Sequence, residues 1–266
     1  MTAHDAARKP GSRRPRRAGR YDAPGDGPLT FPSLELQVPF AFDAAMARRL
    51  LRREVNPKEA FTVRDNAGIY FRATLRELTD AGGVAMPYEQ MARSPEPTVE
   101  LTLACAVLAR QRMIFVVQKA TELGVARIVP LLTEHSVLQR GLEHEKAHAW
   151  PGQVIRAAKQ CRRSSLPELV APMTLDTFLA SPAADADLTL CLDDRSGAAP
   201  APKPKDTPRR IILFVGPEGG FTDAERETLK ARASPLVLGG RVLRAETAVL
   251  AGLTAVHLAW GDFLTA

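Results

Sequence analysis

From residue 99 onward the apolar positions fall into two alternating rhythms. Short, largely apolar runs at 99–108, Arg127–Leu132 and Leu188–Leu192 predict strands, and 211–215 is a continuous apolar run of the kind buried on both faces of a parallel sheet. Between them lie segments of helical spacing. One covers 111–123 and is closed by Gly124, where a helix commonly ends. A long one covers about 143–163, with Val154, Ile155, Ala157 and Ala158 as its apolar face. Leu175–Leu179 is short, and 247–260 is largely apolar. Strands alternating with helices predict an α/β domain on a parallel sheet.

Residues 20–93 follow a different pattern, with short runs at 34–38, 60–63, 70–75 and 84–86 separated by turn residues. Asp65-Asn66-Ala67-Gly68 between two of them is a hairpin signal. Residues 44–53, with Met46, Leu50 and Leu51 on one face, predict a helix, so this part is expected to be a small β-rich domain. Ser94-Pro95-Glu96-Pro97 predicts a stiff linker over 94–98, because each Pro biases its predecessor toward extended backbone. The Ala/Pro/Lys-rich stretch 196–208 is expected to be a mobile loop.

Two glycine turns carry the candidate chemistry. After the run 211–215 comes Gly216-Pro217-Glu218-Gly219-Gly220, whose glycines allow positive φ and close approach of a ligand to bare backbone. Thr222 to Glu225 then reads as a capping box, which opens a helix with unpaired N–H groups facing the turn. A second strand at 235–238 ends in Gly239-Gly240 before the last helix. Two such turns at the carboxyl ends of neighbouring parallel strands predict a ligand crevice. The first is neither a dinucleotide GxGxxG nor a P-loop, which lowers the case for nucleotide chemistry of those kinds.

Composition adds less than the formal charge of +6 suggests. Residues 1–20 hold seven basic side chains against one acid, which is the whole excess, and the rest of the 266 residues is balanced. Residues 1–19 therefore read as a basic disordered tail, with a nucleic-acid contact, a passive terminus and an organellar transit peptide as its open readings. No apolar run reaches membrane length, so a soluble protein is expected. Cys105, Cys161 and Cys191 are scattered and odd in number, which fits a reducing, cytoplasmic setting; Cys105 and Cys191 sit in apolar runs and are expected in the core. His144 and His148 are spaced four apart, but no third ligand cluster accompanies them, and no metal is expected.

Several ordered segments resemble one family, the RsmE-type 16S ribosomal RNA uridine N3-methyltransferases of the SPOUT superfamily. They are Arg112-Met113 and Val117-Gln-Lys-Ala-Thr-Glu-Leu-Gly-Val125; Arg127-Ile-Val-Pro-Leu131 with Glu134 and Ser136; and Ala157-Ala158, Gln160-Cys161, Arg163 and Pro167-Glu168. Gly216 to Thr222 follows, and Leu238-Gly239, Arg241, Leu243-Arg244 and Glu246-Thr-Ala248 complete the set. Departures are Ala109-Arg110-Gln111 in place of Lys-Gly-Asp, Arg162 in place of Gly, and Gly240 and Ala245 in place of Pro and Thr.

The resemblance implies a SPOUT-type parallel sheet with a C-terminal trefoil knot over residues 99–266. It implies a small PUA-like β-barrel domain over 20–93 for RNA binding, S-adenosyl-L-methionine as cofactor, a homodimer, and 16S rRNA or the small ribosomal subunit as partner. Gly216, Glu218, Gly220, Leu238, Gly239 and Leu243 are expected to line the cofactor, with Glu218 either answering its positive charge or stabilising the turn. Arg244 is the candidate catalytic cation, because it cannot lose its charge at working pH; the alternatives are a salt bridge to Glu246 or a phosphate contact. Glu246 is a candidate base, an orienting partner for Arg244, or a cofactor ligand. Arg112, Lys119 and Arg163 are candidate RNA contacts, although Lys119 and Glu122 could simply pair on one helix. Methylation of another nucleotide and catalytically silent rRNA binding remain the alternative functions.

Overall fold

A computed structural model describes residues 21–192 and 207–264. The basic tail at 1–19 and most of the loop expected at 196–208 lie outside the described residues. The amino-terminal part contains β1 (Thr30–Phe31), β2 (Phe40–Asp43), α1 (Ala44–Arg52), β3 (Ala60–Asp65), β4 (Tyr70–Thr79) and β5 (Gly82–Gln90). Its five strands form one sheet in the order β1-β3-β4-β5-β2, parallel only between β1 and β3. The hairpin expected at 65–68 joins β3 to β4, with Gly68 at φ 87°. The run 34–38 is not a strand. Gln37 adopts φ 63°, and Leu36 and Val38 are exposed, so the chain turns there and β2 starts two residues later.

The second part comprises β6 (Glu100–Ala106), α2 (Arg110–Glu122), β7 (Arg127–Leu132), α3 (Trp150–Gln160), β8 (Glu168–Leu169), β9 (Met173–Thr174) and α4 (Leu175–Leu179). After these come β10 (Leu188–Leu192), β11 (Arg210–Val215), α5 (Asp223–Lys230), β12 (Ser234–Leu236) and α6 (Ala245–Ala259). Its sheet is parallel throughout, in the order β12-β10-β11-β6-β7-β8, with β9 also on β7. The largely apolar runs follow from burial on both faces. Leu101, Leu103, Cys105, Ile211, Leu213 and Val215 pack in one core with α2, α3 and α6, whereas Ala104, Ile212 and Phe214 pack in the other with Phe178 and Leu229.

Helix α2 buries Met113, Val116, Val117 and Ala120, one stripe at three- and four-residue spacing. It ends in a Schellman turn: Val125 N donates to Ala120 O at 3.1 Å, Gly124 N to Thr121 O at 3.1 Å, and Gly124 takes φ 84°. The long helix expected over 143–163 is shorter. Lys146 adopts φ 56° and Ala147–Ala149 forms a 3-10 turn before α3 begins, so the helical spacing of 143–149 is coincidental.

Both expected boundaries also change. Ahead of β1, Ala23 and Asp26 make antiparallel bridges to Leu169 of β8 and to Leu166 just before it, so residues 21–26 edge the second sheet rather than belonging to the first. Asp26 then accepts hydrogen bonds from Arg49 and Arg53 of the first part, each at 2.9 Å. The 94–98 segment is not a spacer, because Glu96 is largely buried and bound to Arg163, Ser164 and Ser165.

Candidate active site

Strand β6 leads through α2 to β7 on one side, and β11 leads through α5 to β12 on the other. The carboxyl ends of the strands around this reversal are where open parallel sheets bind ligands. A cavity of about 1030 Å³ lies there. The turn Gly216–Phe221 and the segment 238–245 form its walls, Cys191 and Leu192 of β10 and Leu236 of β12 contribute from the sheet, and Arg112 reaches in from α2.

The first wall is held from two directions. Gly220 N donates to Pro217 O at 2.8 Å, and Gly220 takes φ 71°. A Cβ on Gly216 would come within 3.1 Å of the Phe221 ring, and one on Gly219 within 3.1 Å of His135. His135 Nδ1 lies 3.0 Å from Gly220 O. The capping box is complete, with Thr222 N donating to Glu225 Oε2 at 2.8 Å and Glu225 N donating to Thr222 Oγ1 at 3.3 Å. The other Glu225 oxygen accepts from Glu134 N at 3.0 Å. A single carboxylate thus closes the helix start and ties the glycine turn to the loop after β7.

The second wall is looser. Gly239 has φ 96°, and neither Gly239 nor Gly240 would bring a Cβ within 4 Å of another group. Arg244 is the N-cap of α6, exposed, with its carbonyl accepting from Ala248 N at 2.8 Å. The Arg244–Glu246 salt bridge that sequence proximity allowed is not formed among the described residues. Glu246 Oε1 lies instead 3.9 Å from Arg112 Nε, while Arg112 Nη1 is 2.6 Å from Glu218 Oε1. The hydrogen bond to Glu218 and the charge of that carboxylate raise the Arg112 pKa further above its ordinary value.

All six residues expected to face a cofactor, Gly216, Glu218, Gly220, Leu238, Gly239 and Leu243, line this one cavity, as do Arg244 and Arg112. Glu246 stands behind the wall, with Oε2 closed off from solvent. The candidate RNA contacts scatter. Lys119 donates to both carboxylate oxygens of Glu122, at 3.0 and 2.8 Å, so the helix pair is what forms. The expectation for Arg163 is corrected: its side chain is 5% exposed and spends its donors on Glu96, Thr121 O, Val125 O and Ser165, which leaves nothing for a phosphate.

Cys191, expected in the core, is half-buried and lines the cavity, whereas Cys105 is fully buried. Burial, with the charge of Glu218 adding to it, pushes the Cys105 thiol up to about 12, so it stays protonated. Cys191 belongs to an apolar strand and carries no sequence signal of its place. His135 likewise is an ordinary loop histidine until the fold sets it against Gly219. Among the described residues no group of three or more His, Cys, Asp or Glu could hold a metal, and no helix is long and apolar enough to cross a membrane.

The part of the chain that carries this parallel sheet and its glycine-walled cavity matches one class of enzyme, the RNA methyltransferase domain family, over residues 94–257. A ribosomal RNA small subunit methyltransferase E from Synechocystis sp. is 33% identical over 214 residues, 79% of this chain and 69% of that protein. The crystal structure of a ribosomal RNA small subunit methyltransferase E from Neisseria gonorrhoeae, bound to S-adenosyl methionine, aligns with a TM-score of 0.62 at 28% identity, covering 89% of this chain and 99% of that one. A methyltransferase from Legionella pneumophila in complex with SAM aligns with a TM-score of 0.61 at 28% identity, over 88% and 98%. The chain belongs to the RNA methyltransferases, and within them to the ribosomal RNA small subunit methyltransferase E family.

Proposed function

We propose that the protein methylates N3 of a uridine in 16S ribosomal RNA, with S-adenosyl-L-methionine as methyl donor. The observation that carries this is the single cavity walled by Gly216–Phe221 and 238–245, together with the donor bound in two solved relatives and the ribosomal RNA named for the Synechocystis relative. The lining suits the donor: bare glycine backbone at Gly216, Gly220 and Gly239, apolar Leu238 and Leu243 for an adenine, and the carboxylate of Glu218 for a cation. When bound, the donor supplies an electrophilic methyl group on a sulfonium, so the protein mainly positions and tunes.

The substrate side falls to Arg244. Uridine N3 lies between two carbonyls and carries a proton that must leave, and a fixed cation beside those oxygens favours the anionic ring. Arg244 is exposed, lines the cavity and has no ion-pair partner among the described residues. Glu246, in the first turn of the same helix, orients this part of the wall. The target uridine is taken unpaired, because a stacked base does not present N3 to a pocket. The same reading carries a PUA-like β-barrel in the first part, a trefoil knot around the second wall, a homodimer and a cytoplasmic location.

Calorimetric titration with S-adenosylmethionine, followed by mass-spectrometric mapping of small-subunit rRNA from cells with and without the gene, tests the proposal. The expected result is donor binding and loss of one 3-methyluridine. A different lost modification retargets the enzyme, and rRNA binding without donor binding makes it a silent assembly protein.

A further inference from the structure

Arg112 stands at the unfavourable end of its helix. The first turn of α2 holds Arg110 and Arg112 and no acid, and its N-cap, Ala109, makes no side-chain hydrogen bond. The partial positive charge of a helix start disfavours cations there. The helix start itself is met by Glu145, whose Oε2 accepts from Arg110 N at 2.5 Å, and the Arg112 charge is answered across the cavity: Nη1 sits 2.6 Å from Glu218 Oε1, and Nε sits 3.9 Å from Glu246 Oε1, beyond hydrogen-bonding reach.

The second oxygen of Glu246 sharpens the picture. Glu246 Oε2 is shut off from solvent and has no hydrogen-bond donor among the described residues, which is a costly state for a buried acceptor. A guanidinium presents Nε–H and Nη–H as a fork that matches both oxygens of one carboxylate. The pair Arg112 makes with Glu218 is 41% and 36% exposed, so it is weak and readily exchanged.

We propose that Arg112 is a positioning residue with two seats, one on Glu218 and one on Glu246, and that a cationic ligand bound against Glu218 moves it to the second. This rests on the methyl-donor reading of the cavity. The sulfonium or the ammonium of the donor competes with Arg112 for the Glu218 carboxylate. On Glu246 the guanidinium supplies the donor that Oε2 lacks and pins the first turn of α6, whose N-cap is Arg244. Donor binding thereby sets the cation that meets the substrate, and Arg112 acts through Glu246 rather than on RNA.

The test compares wild type with Arg112→Ala and Arg112→Lys in the full chain, by calorimetry with S-adenosylmethionine and by steady-state kinetics on small-subunit rRNA. Removing the competitor for Glu218 is expected to tighten donor binding about two- to fivefold, the scale of one exposed ion pair, while kcat falls and KM for rRNA stays level. Arg112→Lys keeps the charge without the fork; it is expected to bind donor like wild type and not to restore kcat. Absence of donor binding by the wild-type chain overturns the methyl-donor reading and this proposal with it. Donor binding that weakens or stays level in Arg112→Ala, or a loss confined to KM for rRNA, overturns the proposal alone.

Discussion

Arg163 donates to Glu96 through Nη2 at 3.0 Å, with side chains only 5% and 14% exposed, and this ion pair locks the 94–98 segment to the end of α3. Glu96 Oε1 also accepts from the backbone of Ser164 at 2.7 Å and of Ser165 at 2.9 Å, so the carboxylate is saturated.

Removing one partner of a buried pair leaves the other charge uncompensated, and Glu96→Ala is expected to destabilise by about 3–5 kcal/mol, read by urea denaturation. Burial alone would raise the Glu96 pKa, but Arg163 and the Ser165 donors outweigh it and hold it below the ordinary 4.5. A depressed folded pKa gives stability that is full above the unfolded value and is lost as pH falls through the folded value. The acid limb below about pH 4.5 is therefore expected to flatten in Glu96→Gln; an unchanged limb would remove Glu96 from acid stability.

Arg244→Ala is expected to lower methyl transfer to rRNA about 10²- to 10³-fold, the scale of one electrostatic stabiliser, while donor affinity measured by calorimetry persists. Unchanged turnover would take Arg244 out of the mechanism.

Gly239 and Gly240 form a matched pair. At φ 96° with nothing near a new Cβ, Gly239→Ala is expected to cost about 1–2 kcal/mol of backbone strain and to weaken donor binding through the displaced wall. Gly240 has the same open surroundings without the positive φ, so Gly240→Ala is expected to stay within about 0.5 kcal/mol. Equal effects in calorimetry would contradict a conformational role for Gly239.

Deleting residues 1–19 removes six basic side chains and one acid. If the tail touches RNA phosphates, the slope of log affinity against log salt is expected to become shallower by about 0.7 for each single-strand phosphate that is no longer neutralised. The same affinity and slope in filter binding would make the tail passive.

Much of the fold was legible because its determinants are local. Largely apolar runs mark the strands of the parallel sheet, and β7 and β10, like the short helix α4, have the bounds that the sequence predicts. The Thr222–Glu225 capping box and the Gly124 helix end depend on groups within a few residues of each other, so the sequence alone specifies them. Where local spacing had no tertiary backing it misled, as at 143–149 and 34–38.

The distant partners of charged side chains were decided only by the fold. Lys119 closes on Glu122 of its own helix, a pair their spacing already offered, but nothing local says that Arg112 reaches the cavity or that Arg163 is buried on Glu96. The three partners lie 3, 106 and 67 residues away. The two glycine turns show the same division. Each turn is written locally in the chain, since glycine conformational freedom belongs to the residue. Only the parallel order β12-β10-β11 set the two turns around one cavity, because strand neighbours are chosen by long-range pairing and packing.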